Sequence, residues 1–192
     1  RRPMTLSLDP PRLIGGATDA RRGGTLPPRP VRGGRLRGAT CRTAVAPATV
    51  KSAILLAALL AEGETSVTEP ALSRDHTERM MLAPGVPLQP AGASVVLDPN
   101  LEWAGGWEPF EWHVPGDPSS AAFPLLAAAM VPGSQVSVQD VGVNPTRTGL
   151  FDWLRLLGAN ISHRPSGHGA GDEPMAEVAV AHGTIRGSVA GG

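Results

Sequence analysis

The sequence predicts an α/β fold, and three observations lead to this prediction. Helix-like and strand-like segments alternate along the chain with short connections between them. The same order of elements occurs twice, about 70 residues apart. The composition, with 24 Gly, 20 Pro and 41% apolar residues, is that of a globular protein with many turns. These patterns together predict small α/β units, each too small to bury its own faces, packed around shared helices.

The first copy of the repeat begins with an apolar run. Its pattern predicts a helix over residues 50–61 that is stopped by Gly63, then a strand over 65–69. Residues 73–77 then open a second helix. Because the first helix is apolar nearly all round, we expect it to be buried on most sides. It also carries Lys51, the only lysine in the chain.

The second copy repeats this order. Residues 117–120 open an apolar helix that runs to residue 130, although Pro124 interrupts the run, and Gly133 stops it. A strand is predicted over residues 135–141. Leucines spaced at helical intervals predict an amphipathic helix that is opened by residues 144–147 and stopped by Gly158. A further strand is predicted over 160–163.

Between the copies, residues 102–118 break any periodic pattern and predict a domain boundary near residue 113, hence domains of 1–112 and 113–192. Both ends of the chain cut into patterns: residues 1–15 are helix-like, and residues 185–192 begin a strand. We therefore expect sequence upstream and downstream of this chain. The single cysteine, Cys41, excludes an intramolecular disulfide and favours a reduced, cytosolic protein.

The charge is balanced overall but uneven along the chain. The first 42 residues contain ten arginines and two acidic residues, which gives a net charge of +8 there and about −8 in the remainder. This asymmetry predicts an anionic partner, either a small phosphorylated or carboxylated ligand or a nucleic acid. The arginines of residues 32–38 lack aromatic neighbours, so we interpret that segment as turns between short strands and not as an RNA-binding element. No apolar run reaches the roughly 20 residues of a membrane span.

Five motifs follow one another along the chain in a fixed order and spacing. They are Arg2-Pro3-Met4, Val50-Lys51-Ser52-Ala53, Ser73-Arg74-Asp75-His76-Thr77-Glu78-Arg79-Met80, Val114-Pro115-Gly116-Asp117-Pro118-Ser119-Ser120-Ala121-Ala122-Phe123-Pro124-Leu125 and Asn144-Pro145-Thr146-Arg147-Thr148-Gly149-Leu150. Together they resemble the class II branch of the 5-enolpyruvylshikimate-3-phosphate synthases. The resemblance implies two similar domains, each built from βαβαββ units packed around buried parallel helices, with the active site in the cleft between them. It also implies an interior fragment with two incomplete domains: 1–112 would be the last units of one, and 113–192 the first unit of the other.

The resemblance further implies an activity. These enzymes transfer the enolpyruvyl group of phosphoenolpyruvate to shikimate 3-phosphate, which yields 5-enolpyruvylshikimate 3-phosphate and phosphate on the route to chorismate and the aromatic amino acids. The family uses no metal and no organic cofactor, and three histidines in the Gly-rich tail lack the spacing of metal ligands. A cytoplasmic, monomeric enzyme without nucleic-acid or membrane partners is implied.

Four residues are predicted to bind substrate by resemblance. Arg2 matches the arginine that binds phosphoenolpyruvate, and Arg74 matches the class II arginine that contacts shikimate 3-phosphate. Ala48 and Thr49 fall where the family has Ser-Ala-Gln. Because Pro47 and Thr49 depart from that pattern, lost hydrogen bonds to charged groups would weaken binding by about 3 to 6 kcal/mol. No catalytic residue is predicted, since the proton-transferring lysines and aspartate of the family match no position here.

Several alternatives remain open at this point. The chain could be a non-catalytic remnant that binds anions through Arg2 and Arg74, and we expect no turnover by the chain alone. A second alternative is the related transferase of cell-wall synthesis, which shares the fold and uses a UDP-sugar as the acceptor, but residues 74–78 and 144–147 favour the shikimate branch. The neighbours of Arg74 could simply cap a helix, while an acid–base pair of Asp75 and His76 is disfavoured because adjacent helical residues point apart. Residues 116–120 are interpreted as a helix start rather than an anion-binding loop.

Overall fold

The structure is a computed structural model that describes residues 14–18, 31–46, 48–99 and 111–185. It consists of two compact units, Arg1–Glu108 and Pro109–Gly192, with the division a few residues before the predicted boundary at 112/113. Within the described ranges, no helix has both the length and the apolar character needed to cross a membrane. The predicted helix at the N-terminus and the predicted strand at the C-terminus fall almost wholly outside these ranges.

The first unit contains eight short strands and two helices among its described residues. In chain order these are β1 (Ala17–Thr18), β2 (Val31–Arg32), β3 (Leu36–Arg37), β4 (Thr40–Arg42), α1 (Ala48–Ala58), β5 (Ala61–Glu62), β6 (Thr65–Thr68), α2 (His76–Leu82), β7 (Leu88–Ala91) and β8 (Ser94–Leu97). The predicted strand over 65–69 and the helix opened by 73–77 are confirmed. The segment at 32–38 forms short strands and their connection, as predicted.

The main sheet of this unit has four strands in the order β4-β6-β8-β7. Strand β4 pairs in parallel with β6, whereas β8 runs antiparallel to both β6 and β7. Strands β3 and β5 form a separate, shorter parallel pair, and each lies just before a strand of the main sheet, β4 and β6 respectively. At the join between β3 and β4, a Cβ on Gly38 would lie 2.1 Å from the Glu64 carbonyl oxygen, so only glycine fits there.

Helix α1 is shorter than predicted and has one exposed face. It ends at Ala58, before the predicted residue 61, because Ala61 and Glu62 pair with β3 and are drawn into strand β5. Its apolar residues are not buried all round: Ile54 and Leu55 are inaccessible, but Leu56 is 54% exposed. The helix is therefore buried on most sides, as expected, and exposed on one face.

The core of the first unit joins this helix to the sheet. The cluster of buried residues includes Ile54 and Leu55 of α1 with Val67, Val95 and Leu97 of the strands. Burial of these side chains stabilises the unit by roughly 1.5 to 3 kcal/mol each. Cys41 belongs to the same cluster, and its burial raises the pKa of the thiol, which disfavours the reactive thiolate.

The second unit repeats the arrangement. Its elements are α3 (Pro118–Met130), β9 (Gln135–Gly142), α4 (Gly149–Leu156), β10 (Asn160–His168), a 3-10 helix (Ala170–Asp172) and β11 (Pro174–Ala181). Strand β11 lies between β9 and β10 and is antiparallel to both. Pro124 lies inside α3 and does not end it. The predicted helices and strands are confirmed, although β10 continues to His168.

The two units share one topology. The first reads β4-α1-β6-α2-β7-β8 around its main sheet, and the second reads α3-β9-α4-β10-β11. In the second unit, Gly116 forms a parallel bridge with Val141 of β9 just before α3, where the first unit has β4. The sequence repeat is thus a repeated βαβαββ order. Strands β7, β8 and β11, which complete this order, were not recognised from sequence patterns.

Candidate substrate-binding site

The predicted substrate-binding residues that the structure describes lie on two segments of the first unit. Ala48 and Thr49 form the start of α1, where Thr49 is exposed and Ala48 is partly buried. Arg74 lies in the loop between β6 and α2, and its side chain is exposed to solvent. Arg2 and Pro47 lie outside the described residues, and the binding roles of all four predicted residues stay predictions.

A hydrogen bond joins the N-terminal half of α1 to the first turn of α2. The hydroxyl of Ser52 donates to the Ala48 carbonyl oxygen at 2.8 Å and also shares a 2.6 Å hydrogen bond with the hydroxyl of Thr77. Ser52 lies in the second turn of α1, and Thr77 is the second residue of α2. The start of α1, where the first backbone N–H groups have no acceptor within the helix and the helix dipole has its positive end, therefore lies next to the segment that carries Arg74.

Three charged residues, from α1, from the position after β6 and from α2, form a buried group. Lys51 Nζ is 2.9 Å from Glu69 Oε2 and 2.6 Å from Glu78 Oε1. The side chains of Lys51, Glu69 and Glu78 are 2%, 1% and 7% exposed, respectively. Charges at this depth persist only when they are paired. We call these three residues the ion triad, and it connects α1, the end of β6 and α2.

The pKa of Lys51 reflects two opposed effects. Removal from water lowers the pKa because it disfavours the charged ammonium, whereas the hydrogen bonds and the charges of Glu78 and Glu69 raise it. The carboxylates prevail, and the pKa of Lys51 lies above its ordinary value. This lysine is therefore a permanent cation at neutral pH and does not release a proton readily.

Glu69 also contacts the loop that carries Arg74. The Ser73 hydroxyl donates to both Glu69 carboxylate oxygens at 2.8 Å, and the Ser73 backbone N–H donates to Oε2 at 3.4 Å. Asp75 occupies the N-cap position of α2 without a capping hydrogen bond from its side chain, and it pairs with Arg79 at 3.0 Å. The alternative in which a neighbour of Arg74 caps α2 is therefore met in position by Asp75, but without a side-chain hydrogen bond.

The motif at the start of α3 has a structural role. Asp117 is the N-cap of α3 and accepts hydrogen bonds from the backbone N–H groups of Ser119 and Ser120 at 3.2 and 3.0 Å. Hydrogen bonds from Ser120 and Ser119, joined by one from Arg147, lower the pKa of this carboxyl group. Arg147 donates at 2.8 Å to both Asp117 and Ser119. The interpretation of residues 116–120 as a helix start is confirmed.

The Asn-Pro-Thr-Arg motif also orders local backbone. Asn144 is buried, and its side-chain oxygen accepts hydrogen bonds from the backbone N–H and hydroxyl of Thr146 at 2.9 and 2.7 Å. Its amide donates to Glu173 at 2.9 Å. Together with Arg147, these contacts fix the start of α4 relative to α3. A ligand role is not needed to account for either motif of the second unit.

The ion triad is the feature that sequence reasoning missed. A signal was present, because a lysine within an apolar helix requires carboxylate partners once the helix packs. Glu69 and Glu78 were available in the same repeat, 18 and 27 residues further along the chain. Sequence alone does not choose among the nearby acidic residues, since that choice depends on how the two helices pack.

Comparison with known proteins identifies the same family along the whole chain. A family model described as EPSP synthase (3-phosphoshikimate 1-carboxyvinyltransferase) matches residues 1–185. A 3-phosphoshikimate 1-carboxyvinyltransferase of Anaeromyxobacter sp. (strain Fw109-5) is 50% identical over 192 residues, which are 100% of this chain and 43% of that protein. The protein of the same name from Bacillus cereus (strain ATCC 10987 / NRS 248) is 45% identical over 194 residues, with 100% and 44% covered.

A solved structure agrees with these relatives. The EPSP synthase of Acinetobacter baumannii superimposes with a TM-score of 0.83 at 40% identity, and the match covers 97% of this chain and 41% of that one. The chain thus spans less than half the length of the proteins it matches.

Proposed function

Because this chain belongs to the EPSP synthase family, we propose that it forms part of an enzyme that transfers the enolpyruvyl group of phosphoenolpyruvate to shikimate 3-phosphate. The observation that carries the proposal is the family match over residues 1–185, which extends through both structural units. The products would be 5-enolpyruvylshikimate 3-phosphate and phosphate. A monomeric enzyme of the cytoplasm belongs to the same proposal.

The contribution of this chain would be the binding of anionic substrate. The exposed guanidinium of Arg74 can form two parallel hydrogen bonds to a phosphate group. Helix α1 is 11 residues long, and its first turn adds backbone N–H donors and a favourable dipole. Thr49, exposed in that turn, supplies a hydroxyl donor. We propose that Arg74 binds the phosphate of shikimate 3-phosphate and that the first turn of α1 contacts the same ligand.

Calorimetric titration of the 192-residue chain with shikimate 3-phosphate, alone and with phosphoenolpyruvate, tests this proposal. We expect Arg74→Ala to weaken binding about tenfold to a hundredfold, as expected for one lost charge-assisted interaction. Arg74→Lys should restore part of the loss, because it keeps the charge but not the planar fork. Arg155→Ala, which removes an exposed arginine of the second unit, is the matched control and should leave binding unchanged.

Two results would contradict the proposal. One is the absence of heat from the wild-type chain at millimolar shikimate 3-phosphate. The other is equal affinity of the wild-type and Arg74→Ala chains. A UDP-sugar serves as the competing ligand, and binding of it in place of shikimate 3-phosphate would point to the related acceptor.

A specific observation favours a second candidate, a binding module without turnover. The only lysine of the chain, Lys51, is buried between two carboxylates, so it offers no ammonium group to a ligand in solvent. An assay of phosphate release with both substrates separates the candidates. Turnover that is lost in Arg74→Ala would exclude the module, whereas binding without phosphate release would support it.

A further inference from the structure

We propose that Glu69 and Lys51 are positioning residues that hold Ser73 and the adjoining Arg74 in the conformation that binds the ligand. The inference rests on the proposed function for the identity of that ligand, but its structural part concerns the loop itself. This loop, residues 69–75, connects β6 to α2 and carries Arg74 one residue after Ser73.

The loop has little apolar anchorage of its own. Residues 70–72 are exposed, and Leu72 retains 57% of its accessible surface. At its two ends the loop is held by a hydrogen bond from the Glu69 backbone N–H to the Ala93 carbonyl oxygen and by the ion pair of Asp75 with Arg79. Next to Arg74 itself, the described contacts are the hydrogen bonds from Ser73 to the Glu69 carboxylate. Loops with few buried apolar contacts open easily. The hydrogen bonds from Ser73 to Glu69 therefore determine how much of the time Arg74 stays in one conformation.

Lys51 in turn fixes the Glu69 carboxylate that accepts these hydrogen bonds. Its ammonium group lies between Glu69 and Glu78, and all three side chains are shielded from water. Lys51 is in the first turn of α1, one residue before Ser52, which is hydrogen-bonded to Thr77. The position of the Glu69 carboxylate is thus set relative to α1 and α2 at once, and with it the orientation of Ser73.

Stability alone is a weak explanation for the ion triad. A buried ion pair is often no more stabilising than apolar side chains of similar volume, so the geometry that the triad imposes accounts better for its role in this chain. The two glutamates differ in their contacts with the loop. Both pair with Lys51, but among the described contacts only Glu69 binds Ser73. Glu78 is therefore an internal control for the loss of one buried carboxylate.

The test compares Glu69→Gln with Glu78→Gln in the 192-residue chain. The first readout, free of any ligand, is amide hydrogen exchange at Ser73 and Arg74. We expect Glu69→Gln to accelerate exchange there by about tenfold and Glu78→Gln to leave it within about twofold. The second readout is the affinity for shikimate 3-phosphate, which should fall about tenfold in Glu69→Gln and much less in Glu78→Gln.

Ser73→Ala provides a variant that leaves the ion triad intact. It removes the hydroxyl that donates to Glu69 and should accelerate exchange at Arg74 in the same direction as Glu69→Gln, even if both glutamine variants fail to fold. Equal exchange in the wild-type and Ser73→Ala chains would overturn the inference, as would equal effects of Glu69→Gln and Glu78→Gln on the loop and on affinity.

The ligand-free readout separates this inference from the proposed function. If shikimate 3-phosphate does not bind the wild-type chain, the proposed function fails, and hydrogen exchange still decides whether Glu69 holds the loop. If the ligand binds but its affinity is the same in both glutamine variants, the proposed function stands and the positioning role is rejected.

Discussion

Lys51 Nζ lies 2.6 Å from Glu78 Oε1, and both side chains are almost entirely removed from solvent. With Glu69 at 2.9 Å on the other side, the ammonium group is held between two carboxylates contributed by different elements. The only lysine of the chain is therefore paired and buried, and it lies in the same first turn of α1 as Ala48 and Thr49, which are predicted to bind substrate. Its energetic role can be measured independently of any ligand.

Replacement of Lys51 by Met should destabilise the protein by about 3 to 5 kcal/mol, because it leaves two buried carboxylates without a cation. The free energy of unfolding in urea, followed by circular dichroism, measures this loss. Arg155→Met is the matched control, since it breaks an exposed ion pair with Asp152 and should cost less than about 1 kcal/mol. Equal losses in the two variants would show that the ion triad contributes no more than a surface pair.

The ion triad should also make stability sensitive to alkaline pH. The folded state raises the pKa of Lys51 above the ordinary 10.5, so this contribution is complete below about 10.5 and is lost as the pH rises through the folded-state value. We expect the thermal midpoint of the wild-type chain to fall over this alkaline range. In Lys51→Met the fall should be smaller, and identical curves for the two chains would contradict the prediction.

Glu177 should remain ionised well into the acidic range. Hydrogen bonds from Ser137 and Gln139, and then from Arg164, lower its pKa from 4.5 to about 2. Its contribution to stability is present above pH 4.5 and is lost as the pH falls toward about 2. An NMR titration of the carboxyl carbon measures the pKa directly. Ser137→Ala should move it upward, and a midpoint near the ordinary value in the wild-type chain would refute the network.

The N-cap of α3 offers a prediction for the second unit. Asp117→Ala should destabilise the protein by about 1 kcal/mol, because two backbone N–H groups lose their acceptor. Asp117→Asn retains a good capping side chain and loses only the charge that pairs with Arg147, so its cost should be smaller. Urea unfolding of both variants checks this order. A larger loss in Asp117→Asn would assign the effect to the ion pair.

Much of the fold could be predicted because the relevant signals are local. Apolar periodicity located α3 and α4, and Gly158 marked the end of α4 with a positive φ of 83°. The hairpin of β7 and β8 was missed because its strands are four residues each and lack a clear alternation in sequence. The end of α1 was misplaced because residues 61 and 62 gain a strand partner that is distant in sequence.

The candidate site could be predicted only in part. Resemblance selected Ala48, Thr49 and Arg74, and the structure brings the helix start and the loop together through Ser52 and Thr77. The hydrogen bonds of Ser73 with Glu69 and the ion pair of Glu69 with Lys51 could not be predicted from the sequence. A pattern of residue types shows that Lys51 requires a buried anion, but Glu62, Glu64, Glu69 and Glu78 were all candidates until the packing was known.

The sequence by itself determined the α/β class, the internal repeat and the family, because periodicity, turn residues and motif spacing are properties of neighbouring positions. Only the tertiary structure decided which carboxylates neutralise Lys51 and which residue anchors Ser73. The ion pairs join residues from separate elements, and their strength depends on burial and on distances of a few ångströms. Both quantities are set when the helices pack on the sheet.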